Sequence, residues 1–191
     1  MIDPPTRKRL LSLARTAIGL HLQGADIELP ERFDDPVYAM QHGVFVRIFR
    51  NGDLRGGFGS YSPLLPVAQG VVEYTVSAAF GDPRFAPIEE SEFDDLVIEL
   101  QIASLPEILS WESPADLFAQ LVPGEDGIAL EYDAHASNFL PQVWEVLPVP
   151  AAFLAELAQK AGLPPRGWEQ ATIKRYQVER FAEDDFSDAG A

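Results

Sequence analysis

Arg55 and Glu99 are the two residues of this chain best placed to do chemistry. Each stands in the middle of a stretch that reads as a strand, on the face opposite the most apolar positions. A guanidinium takes a carboxylate or phosphate in a bidentate grip, and a neighbouring carboxylate can hold it in position. With a perturbed pKa and an open pocket, Glu99 could instead serve as acid or base. The usual role of such a pair is structural, an ion pair across neighbouring strands with Gln101 adding hydrogen bonds, and the anion site is the functional alternative to it. Arg55 opens the run Arg55-Gly56-Gly57-Phe58-Gly59, whose three glycines bring no side chains and cost backbone entropy. They suit either a bulged, twisted strand or a bare groove. In the groove reading, period-two alternation puts Leu54, Gly56, Phe58 and Ser60 on the core side. Arg55, Gly57, Gly59 and Tyr61 lie on the other. Arg84, in the turn Asp82-Pro83-Arg84-Phe85, adds a second positive charge. Asn138 and Gln142 flank Phe139-Leu140-Pro141 and turn their amides toward a site or a partner. The candidate ligand-binding set is therefore Arg55, Gly56, Gly57, Gly59, Tyr61, Arg84 and Gln142, with Glu99 the residue to watch if the chain is an enzyme.

Other chemistries find no support. The glycine run is followed by neither Gly-Lys-Ser/Thr nor a helix, so it is no phosphate loop and no dinucleotide fingerprint. Gly-Xaa-Ser-Xaa-Gly does not occur. His21, His42 and His135 lack ligand spacing, and there is no cysteine, so no metal centre, cofactor or thiol nucleophile is expected. The doublets Asp34-Asp35, Asp94-Asp95 and Asp184-Asp185 read as solvated loops or helix starts rather than a glycosidase pair.

The elements that must position these residues follow from periodicity. Asp3-Pro4-Pro5 caps a helix with the stripe Leu10, Leu11, Ala14, Ala17, Ile18 and His21, ended by Gly24. Arg7-Lys8-Arg9 sits in its first turn, against the dipole, and is expected in solvent. Asp26–Pro36 is a connecting loop. Val44–Arg50 is a strand turning at Asn51-Gly52, the strongest short hairpin signal. Residues 67–80 carry a helical stripe closed by Gly81-Asp82-Pro83, and Ser91–Asp95 is a helical turn. Leu96–Ser104 alternates cleanly as a strand and is stopped by Pro106. A short helix at Asp116–Val122, a strand at Gly127–Tyr132 and an extended piece at Val143–Val146 follow. Pro150 opens a helix whose C′ residue is Gly162. Ala171–Phe181 is the last strand, and the acidic tail from Glu183 is expected to fray. Irregular alternation around a dominant hairpin makes the class α+β, mainly antiparallel, with packed helices.

Composition narrows the partners. With 191 residues and 47% apolar content the chain can bury a sizeable core. Fourteen basic residues stand against thirty acidic ones, a net charge of −16. Scattered cations cannot neutralise a phosphate backbone, so nucleic acid is not an expected partner. No apolar run approaches the ~18 residues of a membrane span, and Arg15, His21 and Gln23 break any signal-like segment. A cytoplasmic location is the expectation.

Several segments together resemble the AMME chromosomal region family, called AmmeMemoRadiSam system protein A in bacteria. They are Gly43-Val44-Phe45-Val46, Leu54-Arg55-Gly56 with Gly59, Ala78 to Phe85, Ile98-Glu99, Gly124-Glu125-Asp126-Gly127, Phe139 to Val143 and Lys160 to Leu163. Trp168, Tyr176, Val178 and Phe181 complete the set. The resemblance covers about Pro5 to Glu183 of a single domain spanning 1–191, leaving the acidic tail 184–191 outside. It implies an α+β fold of two unequal, intimately associated subdomains. It implies no established activity, but links to a Memo-like protein and a radical S-adenosylmethionine protein. Where the family usually reads Arg-Gly-Cys-Ile-Gly, this chain has Arg55-Gly56-Gly57-Phe58-Gly59, which calls any thiol-dependent chemistry into question here.

Overall fold

The computed structural model describes residues 2–25, 27–29 and 34–186, so part of the expected loop Asp26–Pro36 and the end of the tail lie outside the described residues. The chain forms two compact units of unequal size. The larger is Met1–Ala103 with Glu179–Ala191, and the smaller is Ser104–Val178. The α+β, antiparallel expectation holds in both.

In the larger unit, helix α1 (Pro4–Leu22) begins as its sequence dictates: Asp3 accepts the Thr6 N–H at 3.0 Å, and two prolines fill the first turn. Leu10, Leu11, Ala14, Ala17 and Ile18 are buried as expected, but His21 is exposed with its ring 4.3 Å from that of Phe80. Leu22, next to it in the last turn, packs against the core instead. In the basic triplet Lys8 and Arg9 are exposed, as expected, and Arg7 is partly buried; each also has a partner within the chain. Arg7 bonds Glu179 at 2.5 Å and the Ile2 carbonyl at 2.9 Å, Arg9 pairs with Asp35 at 2.5 Å, and Lys8 lies 5.1 Å from the Phe186 ring. Intramolecular partners, absent from any local pattern, offset the unfavourable dipole.

After the four-residue helix α2 (Pro36–Ala39) come β1 (Gly43–Arg50) and β2 (Asp53–Ser60), joined at Asn51 and Gly52, both with positive φ (53° and 84°). Helix α3 (Val67–Phe80), a 3-10 turn (Glu90–Asp95) and β3 (Leu96–Ala103) follow. β1 is the middle strand, antiparallel to β2 on one side and to β3 on the other. One face, with Val44, Val46, Ile48, Ile98, Leu100 and Ile102, packs under α1 and α3. The opposite face carries Phe45, Arg47, Glu99 and Gln101, because alternate residues point to opposite sides of the pleat.

In the smaller unit, β4 (Glu107–Ile108), α4 (Pro114–Gln120), β5 (Asp126–Tyr132) and β6 (His135–Phe139) precede a 3-10 turn at Pro141–Glu145. Helix α5 (Pro150–Lys160), a 3-10 turn at Gly167–Gln170 and β7 (Thr172–Ala182) complete it, β7 passing into the larger unit at Glu179. β5 pairs with β6 and β7, and β4 with β7, all antiparallel. Ser113 caps α4 at Asp116 N–H, so that helix starts earlier than its apolar stripe suggests. The extended piece expected at Val143–Val146 is instead the 3-10 turn that stacks Trp144 on Phe153, ring centroids 3.8 Å apart. β6 has almost no β-branched content. Pairing with β5 through a turn at Asp133 (φ 51°) makes it a strand.

The acidic tail is docked where it is described. Glu183 accepts from Arg15 Nε at 2.6 Å and from the Ile98 N–H at 2.8 Å. Asp185 accepts the Ala182 N–H at 2.8 Å, and Phe186 packs on the core. Fraying was expected from composition, but Arg15 supplies a partner for the carboxylate.

Candidate functional site

The hairpin register decides what the glycines are for. Ile48 faces Gly56 and Phe49 faces Leu54, so Arg55 is the extra residue of a β-bulge. The bulge moves Leu54 to the Phe49 side, which corrects its expected place beside Phe58. Gly56 points at α3: a Cβ there would lie 2.1 Å from the Ala78 carbonyl oxygen. Phe58 is on that same side, its ring 5.6 Å from Tyr74, but is 46% exposed because β2 is the outer strand of the β1–β3 set. Gly59 is not bare, since a Cβ there would meet Phe45 Cα and the Val44 carbonyl at 2.5 Å and the Phe45 ring at 2.7 Å. Tyr61 is buried and its backbone crosses Gly43, whose missing Cβ would be 2.6 Å from the Tyr61 carbonyl. Gly56, Gly59 and Tyr61 therefore have packing reasons, and the expected shallow groove narrows to Gly57. A Cβ there would meet only Arg84 Nη2 at 3.3 Å and the Val46 carbonyl at 3.6 Å.

The expected Arg55–Glu99 pair does not form, because β1 lies between their strands. Arg55 grips Glu92 through Nε and Nη2, both at 2.9 Å, and donates to the Ala86 carbonyl at 2.8 Å and the Pro87 carbonyl at 3.3 Å. Glu92 also accepts from Arg50 at 3.0 Å and from the Glu89 N–H at 2.9 Å. The bonds from Arg55, then that from Glu89, outweigh desolvation and hold the Glu92 carboxyl at about 2.

Glu99, only 2% exposed, sits between different partners. Its Oε1 accepts from Arg47 Nη1 at 3.2 Å and Gln101 Nε2 at 2.7 Å, and its Oε2 from Arg180 Nε at 2.5 Å. Gln101 Oε1 is buried without a partner. Asp82, expected only to shape a turn, also takes the outward Gly57 N–H at 2.9 Å and the Arg84 guanidinium at 2.9 and 2.6 Å. The Arg84 bonds come first among the causes that lower Asp82 to about 2. Asp82 thereby closes the β2 edge, which would otherwise offer an unpaired donor. Arg84 lies over Gly57, the register partner of Arg47, which is in turn the partner of Glu99. The result is one row across the sheet face: Arg84, Arg47 and Arg180, each fixed by a buried carboxylate and each partly open to solvent, with side chains 58%, 33% and 54% exposed. Three guanidiniums against two buried carboxylates leave the row one formal positive charge, and Asp184 and Asp185 lie close enough to Arg180 to act on it.

Arg47 and Arg180 were missed by sequence reasoning. A charge in the apolar run Val44–Arg50 was the available signal, but its partners come from β3 and β7. Gln142 belongs to the smaller unit, in the 3-10 turn Pro141–Glu145, where its Oε1 is buried without a partner. Asn138 gives its carbonyl to Lys160 Nζ at 2.8 Å. Among the described residues no group of His, Cys, Asp and Glu could hold a metal ion, and no helix is long and apolar enough to cross a membrane.

The two carboxylates held near 2 set an acid response. Their folded values lie below the ordinary 4.5 and 3.8, so their contribution is complete above about pH 4.5 and is lost as pH falls toward 2. Allowing for solvent screening, the pair should account for about 2 kcal/mol. Thermal melts between about pH 5 and pH 2.5 should show the drop, and Glu92→Gln should lessen it, leaving the share of Asp82. A melting temperature level over that range would count against these ion pairs.

The profile of the AMMECR1 family matches residues 11–181. A protein of Methanothermobacter thermautotrophicus is 36% identical over 185 residues, covering 93% of this chain and 94% of its own length. A protein of Methanocaldococcus jannaschii is 33% identical over 176 residues, covering 87% and 83%. The crystal structure of an uncharacterised protein from Pyrococcus horikoshii superposes with a TM-score of 0.81 at 33% identity, covering 92% of this chain and 90% of that one. The same order of segments, the same fold and near-complete coverage in both directions have one meaning: the chain belongs to the AMMECR1 family.

Proposed function

We propose that this chain is a binding or accessory module of an AmmeMemoRadiSam-type pathway in the cytoplasm, and that the face around Gly57 receives an anionic surface of a partner protein. One observation carries the reading. Every carboxylate of the site already holds a guanidinium, Glu92 with Arg50 and Arg55, Asp82 with Arg84, Glu99 with Arg47 and Arg180. Acids spent in this way position cations, and the cations point outward. Arg55, committed to Glu92 and to the carbonyls of Ala86 and Pro87, braces that loop rather than meeting the ligand. Gly57 and Arg84 remain contact residues, joined by Arg47 and Arg180. Gln142 stays a separate candidate in the smaller unit, on the strength of its unsatisfied oxygen.

The partners to test are the Memo-like and radical S-adenosylmethionine proteins of the same host. Titration calorimetry should show binding to at least one, weakened by added salt and by Arg84→Ala with Arg180→Ala, since rim charges act through electrostatic complementarity. Binding to neither would defeat the proposal. The rival reading is an enzyme acting on a small anionic substrate through Arg55 and Glu99. Turnover by the purified chain, abolished by Arg55→Ala in a folded variant, would install it instead.

A further inference from the structure

A cavity of about 360 Å³ opens in the smaller unit at the start of β5, where Asp126 pairs with Gln177 of β7. That volume is at the small end of ligand sites. Part of its wall is fixed. Tyr176 lies against Gly127, where any Cβ would be 2.3 Å from the ring, and its hydroxyl donates to the Phe139 carbonyl at 3.1 Å. Asp126 is 1% exposed and is oriented by the Val122 N–H, 2.8 Å from Oδ2. Burial pushes its carboxyl upward, so the ionised form is under-compensated. The nearby cation is already committed: Arg175 donates to Glu107 at 2.8 Å and to the Gln120 carbonyl at 3.1 Å. Two carboxylates against one guanidinium leave a formal negative charge on the lining. Leu105 and Val122, two of the large apolar residues that stand exposed (59% and 43%), line the same cavity.

An acceptor in need of positive charge, beside an apolar rim, selects one ligand chemistry. We propose that this cavity binds a small primary ammonium compound, its N–H donors on Asp126 and its short apolar body against Leu105 and Val122. The ammonium supplies the charge that Arg175 cannot, and charge-assisted bonds at a desolvated carboxylate are the strong kind. The loop Val122–Asp126 presents the carboxyl: the Asp126 N–H donates back to the Val122 carbonyl at 3.1 Å, so the side chain that closes the loop is held at the cavity wall.

The test is an amide-resolved NMR titration of the whole chain with n-butylammonium chloride, against butyrate and butanol. Saturable shifts are expected at Ser104, Leu105 and Gln177 with butylammonium, about tenfold weaker binding with butanol, and none with butyrate. Asp126→Asn should weaken butylammonium about tenfold. Leu105→Arg, at an exposed position, should do the same without changing the thermal melt, and decides the matter if Asp126→Asn does not fold. Equal shifts with butyrate, no saturation by about 50 mM, or an affinity unmoved by Leu105→Arg would overturn the assignment.

Discussion

Gly56→Ala is expected to destabilise the chain by about 3 kcal/mol, while Gly57→Ala next to it should change stability by less than ~0.5 kcal/mol. The two glycines are neighbours in one strand and the substitution is identical, so local propensity cannot separate them. Direction does. The Gly56 methyl would lie 2.1 Å from a backbone carbonyl of α3, and that oxygen cannot move unless the helix does. α3 brings Val67, Val71, Ala78 and Ala79 to the larger core, so lifting it opens the packing of every layer beneath. The Gly57 methyl would meet the end of a flexible arginine at 3.3 Å. Urea denaturation of the two variants, compared at constant m, measures the difference. Equal midpoints would mean that the pleat of β2 is assigned the wrong way round.

Glu99→Gln should cost about 2 kcal/mol and should also weaken any anion held by the face. Breaking a buried pair typically costs more, ~3–5 kcal/mol, but Arg47 and Arg180 are partly open to water and can be re-solvated. The NH2 that replaces Oε1 or Oε2 turns a donor toward a guanidinium donor, and in the Oε1 place it also faces the Gln101 amide donor. A double-mutant cycle with Arg180→Ala should give a coupling of about 1 kcal/mol between the two positions. No coupling would reduce Glu99 to an isolated buried acid. The two readouts differ usefully: Gly56→Ala tests the scaffold, and Glu99→Gln tests the positioning of the cations on it.

How much of this was legible beforehand varies with the range of the interaction. The cap at Asp3, the turn at Asn51-Gly52 and the helix stop at Gly162 are written within four residues, and each is found as read. The buried stripes of α1, α3 and α5 follow largely from periodicity, but His21 is exposed, Val72 and Val76 are only partly buried, and Gly70 and Ala78 are buried in addition. β6 was not legible, because a partner strand rather than its own residues makes it a strand. The site was legible in part. Arg55, Gly57, Arg84 and Glu99 stand out in the sequence as charged or bare positions, but their partners do not. Arg55 meets Glu92, 37 residues away, and Glu99 meets Arg180, 81 away. The bulge at Arg55 also shifts the strand's alternation, and it is specified jointly by two strands.

The sequence by itself determined the class of fold, the family, the hairpin and the chemistry available: many carboxylates, eleven arginines, no thiol. Those are properties of composition, periodicity and short-range hydrogen bonding, which one strand of residues carries complete. Only the tertiary structure decided which carboxylate holds which arginine and what each glycine lies against. Ion pairs and close contacts are set by strand order, and strand order comes from burying apolar faces, which constrains the polar side chains only after the sheet is built.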